Sequence, residues 1–398
     1  MEKILLYEDF GSTMSLSLSL KNFGPVINGK IIVKPMTVFI GPNASGKSYT
    51  AMALYAFYSG LTRSYALPGL ACAEYSRKKK WEEYLQGLQN RAVNVVEKEF
   101  RRVFGLNLQD LTTRGASGGE LILTVKHRGE RVKYILKWPD VSLKIEGLKC
   151  SKRGGNNVSA LFDYLRSRVL YLPASRSGLV QTYGFYVDLV IRVAEELPIT
   201  GVKLMPLPGI VGDFLRWLLA PPMEETQLYQ LFREKLGVDV ERKERSIVVR
   251  FDGLEMDIRS SPSGIAELAP LGLMLRHGIV KKKYMIIIEE PEAHLHPEMQ
   301  VKTMDLLAEL AARGVRLILT THSDLMLNRL SNIVLEGKIL TRNKVAVYLF
   351  KREDNGYITE RIKIGKEGIP DDEFLRVYDQ LYKEYMSLIY ASQVRESG

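Results

Sequence analysis

Residues 41 to 48 read Gly-Pro-Asn-Ala-Ser-Gly-Lys-Ser, a complete GxxxxGK[ST] loop. Few segments of eight residues restrict the surrounding fold as strongly. The apolar run Met36 to Ile40 before it has the composition of a buried strand, and Tyr49 to Tyr58 after it reads as a helix. A glycine at each end lets the backbone curl so that successive N–H groups point inward, and the helix that follows adds the positive end of its dipole. The loop therefore implies a bound triphosphate, cradled by Gly41, Pro42, Asn43, Ala44, Ser45, Gly46 and Tyr49. Lys47 would reach the β and γ phosphates, and the Ser48 hydroxyl would ligate Mg²⁺.

The second half of the chain supplies matching parts. Residues 284 to 298 read Tyr-Met-Ile-Ile-Ile-Glu-Glu-Pro-Glu-Ala-His-Leu-His-Pro-Glu, a β-branched strand ending in two carboxylates and stopped by a proline. This is a Walker B arrangement. Neighbouring side chains at a strand end point different ways, so Glu289 would face the magnesium and Glu290 the attacking water. Glu290 would then orient or deprotonate the nucleophile. A third apolar strand, Arg316 to Thr320, runs into Thr321-His322-Ser323-Asp324. His322 follows Glu290 by 32 residues, beyond one helix (Pro297 to Arg313). At the carboxyl end of a strand in an open parallel sheet, where ligands collect, an imidazole would sense the γ-phosphate.

Composition sets outer limits. With 398 residues, 46% of them hydrophobic and 26% charged, the chain is long enough for two or three structural units. Its apolar stretches are too short to cross a bilayer, and the opening Met-Glu-Lys-Ile-Leu-Leu-Tyr-Glu-Asp has no signal-peptide pattern, so no membrane partner and a cytoplasmic location are expected. Cys72 and Cys150 are the only cysteines and lack CxxC spacing, which points to plain thiols. The net charge of +10 favours a polyanion such as nucleic acid, although runs such as Arg77 to Lys80 and Lys281 to Lys283 are the kind that usually form solvated faces.

Taken together, GPNASGKS, IIIEEPEAHLHP and TTHSD resemble the ABC-class P-loop ATPases that include the SMC and RecF proteins and the overcoming-lysogenization-defect nucleases. Within that group they are most similar to the stand-alone AAA-family ATP-binding proteins. The alternating Leu16, Leu18 and Leu20, followed by Lys-Asn-Phe-Gly-Pro-Val and Ile31 to Val33, fit the strands that precede the loop in this group. The resemblance implies an α/β fold: an ABC-type ATPase head with a mostly parallel core sheet, a small antiparallel β lobe and a helical lobe. It also implies ATP rather than GTP, since the loop reads phosphates and not the base, with Mg²⁺ beside it.

Such ATPases carry a signature segment that completes the partner subunit's site, which implies a head-to-tail homodimer. Two segments compete for this role. Ala116-Ser117-Gly118-Gly119-Glu120 is nearer in letters, yet strand-like alternation follows it and it lies about 170 residues before the Walker B strand. Ser261-Pro-Ser263-Gly264-Ile-Ala-Glu267 precedes a helical pattern through Leu268, Leu271, Leu275 and Ile279, with Ser263 26 residues before Glu289. The second is preferred: the Ser263 hydroxyl and the free N–H groups near Gly264 would bind a γ-phosphate held by another subunit.

The expected organisation is an ATPase core in residues 1–60, a helical and antiparallel insertion in 61–160, a core strand in 161–178, a helical lobe in 179–245, the second part of the core in 246–350, and a hairpin end with a terminal helix in 351–398. Arg176 or Gln181 would approach the γ-phosphate at the junction with the helical lobe. Val334-Leu335-Glu336-Gly337-Lys338 and Asp371-Asp372-Glu373 imitate a TOPRIM nuclease domain, but the 61 residues after Gly337 read only as a hairpin and a helix that would finish the sheet. No internal repeat or long heptad array occurs. Two functions remain open: an ATP-hydrolysing enzyme whose ATP-gated dimer drives or senses something bound to its lobes, such as DNA, and a nucleotide-dependent module of a defence or toxin-type system that acts through a partner protein.

Overall fold

The computed structural model describes residues 14–64, 81–127, 130–148, 168–174, 176–182, 209–218, 226–243, 246–370 and 380–389. The two cysteines, the Arg77 to Lys80 run and Asp371 to Glu373 lie outside them, as does much of the expected helical lobe.

Period-two alternation shapes the first strands. Leu16, Leu18 and Leu20 bury one face of β1 (Met14–Phe23), which pairs antiparallel with β2 (Val26–Val33). Then β3 (Met36–Ile40) is buried at every position, as expected of a strand covered on both faces. The phosphate loop follows and opens α1 (Lys47–Arg63). Next comes α2 (Trp81–Phe104), whose Tyr84, Leu88, Ala92, Val96 and Phe100 recur every four residues and form its buried stripe. Three antiparallel strands follow, β4 (Gly119–His127), β5 (Glu130–Trp138) and β6 (Ser142–Glu146).

The rest of the chain returns to the core. After β7 (Val169–Leu172) come the short α3 (Arg176–Gln181), α4 (Gly209–Leu218) and α5 (Gln227–Leu236). A separate three-stranded antiparallel sheet holds β8 (Val238–Lys243), β9 (Ser246–Phe251) and β10 (Leu254–Asp257). The helix α6 (Ser263–Arg276) leads to β11 (Met285–Glu289), α7 (Pro297–Ala312), β12 (Arg316–Thr320) and α8 (Asp324–Glu336). The hairpin of β13 (Val345–Glu353) and β14 (Gly356–Ile362) follows.

Eleven strands make one sheet in the order β6-β5-β4-β1-β2-β14-β13-β3-β12-β11-β7. From β13 to β7 every neighbour is parallel. Between β6 and β2 all pairs are antiparallel. The antiparallel strands expected as a small lobe thus extend the core sheet itself, because β1 carries a ladder on each edge: β4 pairs with it from Met14↔His127 to Lys21↔Glu120 while β2 takes the other side. The β13–β14 hairpin sits in the middle, joining the two halves through a parallel contact between β14 and β2.

Side chains sort by face. Phe39, Tyr171, Ile287 and Ile318 pack with α1 and α2 on one side of the sheet, and Ile286, Ile288, Leu317 and Leu319 pack with α6, α7 and α8 on the other. The carboxyl ends of β3, β12 and β11 emerge side by side, with Thr320 opposite both Phe39 and Glu289. Adjacent strands lie about 4.8 Å apart, so three strand-end loops share one small region. Glu336 and Gly337, which imitate a nuclease motif in the sequence, form the end of α8, with Gly337 capping it at φ 66°. Among the described residues no helix is long and apolar enough to cross a membrane.

Candidate functional site

Two glycines make the phosphate loop possible. Gly41 and Gly46 have φ of 133° and 99°, and a Cβ on them would lie 2.7 Å from the Phe350 carbonyl oxygen and 2.7 Å from Val26 Cγ2. Ala44 also takes a positive φ, 58°. Pro42, Asn43 and Ala44 are exposed, as is Ser48, while Tyr49 is half-buried with its ring against Phe23 and Phe104. The Ser45 hydroxyl oxygen is buried without a hydrogen-bond partner among the described residues.

Lys47 is buried in the middle of this loop. Its ammonium donates to the main-chain oxygens of Gly41 at 2.8 Å and Pro42 at 2.7 Å. Burial lowers its pKa to about 8, against the opposing pull of Glu290 and Glu292. A cation is therefore held at the loop by carbonyl dipoles.

The two glutamates at the end of β11 diverge. Glu289 is the last strand residue; its Oε2 accepts from the Ala174 amide at 3.2 Å, and its Oε1 is buried with no hydrogen-bond partner among the described residues. The Glu290 backbone turns to φ 42°, although its amide still continues the ladder to the Thr320 oxygen at 2.9 Å. Left-handed backbone at a non-glycine residue costs on the order of 1 kcal/mol and persists where surrounding groups enforce it. Arg176 is one such group. Buried at the start of α3, it donates to the carbonyls of Pro173 at 2.8 Å, Glu289 at 2.6 Å and Glu290 at 3.3 Å.

That geometry corrects one expectation. Arg176 does not reach outward for a phosphate, because its guanidinium is committed to these carbonyls and to Glu267, 3.1 Å from its Nε. Gln181 likewise donates to the Ser261 carbonyl at 3.2 Å.

His322 lies exposed just beyond β12. Partial burial of the ring and then the Lys47 charge push its pKa below the usual value, with Glu290 opposing, so the imidazole is neutral at pH 7. Lys47, Glu290 and His322 therefore act on one another electrostatically, although their sequence positions span more than 270 residues.

Glu292 has no role in the motif reading, although it stands in the same Glu-Glu-Pro-Glu run. Its Oε1 accepts from the Thr321 hydroxyl at 2.8 Å and the His322 amide at 2.6 Å, and its Oε2 is buried without a hydrogen-bond partner among the described residues. Burial pushes its carboxyl above the ordinary range despite these donors, with Glu290 adding to the shift. A third acid two positions past the strand-end pair was the available signal.

Ser263 and Gly264 open α6, with Ser263 exposed. A Cβ on Gly264 would lie 2.6 Å from the His294 oxygen, so this helix start packs against the turn that follows Glu290. Among the described residues no hydrogen bond joins Ser263 to the phosphate loop. The rival segment has a different setting: Gly118 and Gly119 pack against Trp138, and the chain continues into β4 rather than a helix.

The family model described as the AAA ATPase domain matches residues 219–327, which include α6, β11, β12 and His322. The match covers 109 of the chain's 398 residues and shows a likeness to an ATPase domain over that part. Among solved structures it is similar to the SMC head domain from Thermotoga maritima, with 12% identity and a TM-score of 0.46, covering 87% of this chain and 98% of that one. It is also similar to the Smc head domain with an extended coiled coil bound to the C-terminal domain of ScpA, derived from Pyrococcus furiosus, with 11% identity and a TM-score of 0.47, covering 93% and 100%. No curated protein matches the chain.

Proposed function

We propose that this ATPase hydrolyses ATP in a head-to-tail dimer, with each subunit's Ser263 and Gly264 closing the nucleotide held by the other. The observation that carries this reading is the convergence of Lys47, Glu290 and His322 from the ends of three adjacent parallel strands. Exposed Ser263 at the start of a fourteen-residue helix supports the dimer, because free N–H groups at a helix start favour an anion from another subunit.

In this reading Gly41 to Ser48 wrap the phosphates and Lys47 exchanges its two carbonyl contacts for phosphate oxygens. Glu290 accepts a proton from the attacking water, and neutral His322 donates to the γ-phosphate. The exposed Ser48 hydroxyl and Glu289 Oε1, which has no hydrogen-bond partner among the described residues, are hard oxygen donors of the kind that would hold Mg²⁺. When bound, Mg²⁺ would neutralise charge on the β and γ phosphates. ATP would favour the closed dimer and hydrolysis would release it. The net charge of +10 supports nucleic acid as what the dimer holds, and a partner protein is the other candidate.

Steady-state turnover of Glu290→Gln against wild type tests the hydrolytic assignment. Loss of a general base costs roughly 10²- to 10⁴-fold in rate, so the variant should bind ATP yet turn over at least about 100 times more slowly. Equal rates would remove Glu290 from the chemistry.

A further inference from the structure

The turn after Glu290 is tied to the His322 loop by hydrogen bonds that close on themselves. The Thr321 hydroxyl donates to Glu292 Oε1 at 2.8 Å, and the Ser323 amide donates to the Thr321 oxygen at 3.0 Å. From there the Ser323 hydroxyl donates to Gln300 Oε1 at 2.6 Å, and Gln300 Nε2 donates to the Leu295 carbonyl at 3.0 Å. The Leu295 amide then returns to the Glu292 carbonyl at 3.0 Å. Glu292 and Ser323 each contribute to this circuit through both side chain and backbone, and Glu292 is the one on the turn that carries Glu290.

The circuit crosses four elements: the turn after β11, the first turn of α7, the loop after β12 and the cap of α8. Ser323 is that cap, accepting from the Met326 amide at 3.1 Å. The residues on both sides of His322 spend their hydroxyls on the circuit, and the His322 amide itself donates to Glu292 Oε1 at 2.6 Å. His322's backbone is thus fixed while its imidazole stays exposed.

We propose that Glu292 is a positioning residue for ATP hydrolysis, which anchors the main chain of His322 to the turn that carries Glu290 so that both side chains meet the γ-phosphate in one fixed arrangement. This rests on the roles assigned above to Glu290 and His322. The physical need is plain: small misplacements of a reacting constellation are costly, and groups behind it set its geometry. What the role requires of Glu292 is an acceptor oxygen at the right reach, not a negative charge.

That distinction defines the test, in which kcat and KM for ATP are measured for Glu292→Gln, Glu292→Asp, Glu292→Ala and Thr321→Val, with melting temperatures alongside. Glutamine keeps an acceptor at Oε1 and should retain kcat within roughly threefold, whereas aspartate, shorter by one methylene, and alanine should lose roughly 10- to 100-fold in kcat with KM little changed. Thr321→Val should behave like alanine at 292, and the double variant should be no worse than either single change. Should Glu292→Ala fail to fold, Thr321→Val and Glu292→Gln decide the matter alone. Normal kcat in the alanine variant, a loss confined to KM, or a glutamine variant as poor as alanine would each overturn the proposal. A wild-type protein without turnover would instead sink the hydrolytic reading itself.

Discussion

Arg176 and Glu267 face each other at 3.1 Å with side chains 3% and 0% exposed, and between them they join the end of β11 to the helix that begins at Ser263. The second carboxylate oxygen of Glu267 takes both the amide of Ser177, at 3.0 Å, and its hydroxyl, at 2.9 Å. Removing one member of so buried a pair leaves the other charge uncompensated, which costs about 3–5 kcal/mol. Urea unfolding of Arg176→Ala should show a loss of that size. A loss below about 1 kcal/mol would mean that the Glu289 and Glu290 carbonyls find other donors.

Glycine substitutions separate the phosphate loop from the scaffold. Gly46→Ala puts a methyl 2.7 Å from Val26 Cγ2 at a φ of 99°, so it should cost on the order of 1–3 kcal/mol and weaken ATP binding at least tenfold. Gly87, in the middle of α2 with nothing within 4 Å of an added Cβ, makes the opposite case. Gly87→Ala should raise stability by about 0.5–1 kcal/mol and leave nucleotide binding alone. Thermal melts and an equilibrium binding titration read both.

Lys47 makes nucleotide binding depend on pH. Its pKa in the folded chain, about 8, is below the ordinary 10.5, so between these values the unfolded chain binds more protons. Stability from this group therefore rises with pH across that window, and below about pH 8 the full cost of burying the charge is present. Bound phosphates favour the charged ammonium, so ATP binding at pH 8.5 to 9 should take up protons and weaken as pH rises. Calorimetry in two buffers of different ionisation enthalpy measures the uptake, which Lys47→Met should abolish.

How far the sequence disclosed this arrangement depended on burial. Met36 to Ile40 and Arg316 to Thr320 are strands with the bounds read from the chain, because strands covered on both faces are unbroken apolar runs with little ambiguity. The sheet of β8, β9 and β10 was not legible: Asp239, Glu241, Arg250 and Glu255 lie along short strands and pair with one another across it, which in sequence looks like a charged, irregular stretch. Positions 41 to 48, 289, 290 and 322 stood out because each follows an apolar run. Glu292 did not, because its partners, the Thr321 hydroxyl and the His322 amide, come from the loop after another strand and meet it only after β11 and β12 pair.

The exposed start of α6 gives the dimer its own prediction. Ser263→Arg puts a bulky cation where the other subunit's phosphates would dock, on an exposed side chain that makes no hydrogen bond among the described residues. ATP binding by the isolated subunit should stay within about threefold, while turnover should fall at least tenfold through the loss of one set of phosphate donors. Turnover that is independent of protein concentration and unaffected by this change would place the complete site within one subunit.

The central claim is that ATP closes two subunits around two shared sites, and the mass of Glu290→Gln in solution tests it most directly. Light scattering coupled to size separation should give the monomer mass without nucleotide and twice that mass with saturating ATP and Mg²⁺, reverting to monomer when Ser263→Arg is added. A Glu290→Gln protein that binds ATP and remains monomeric would contradict it.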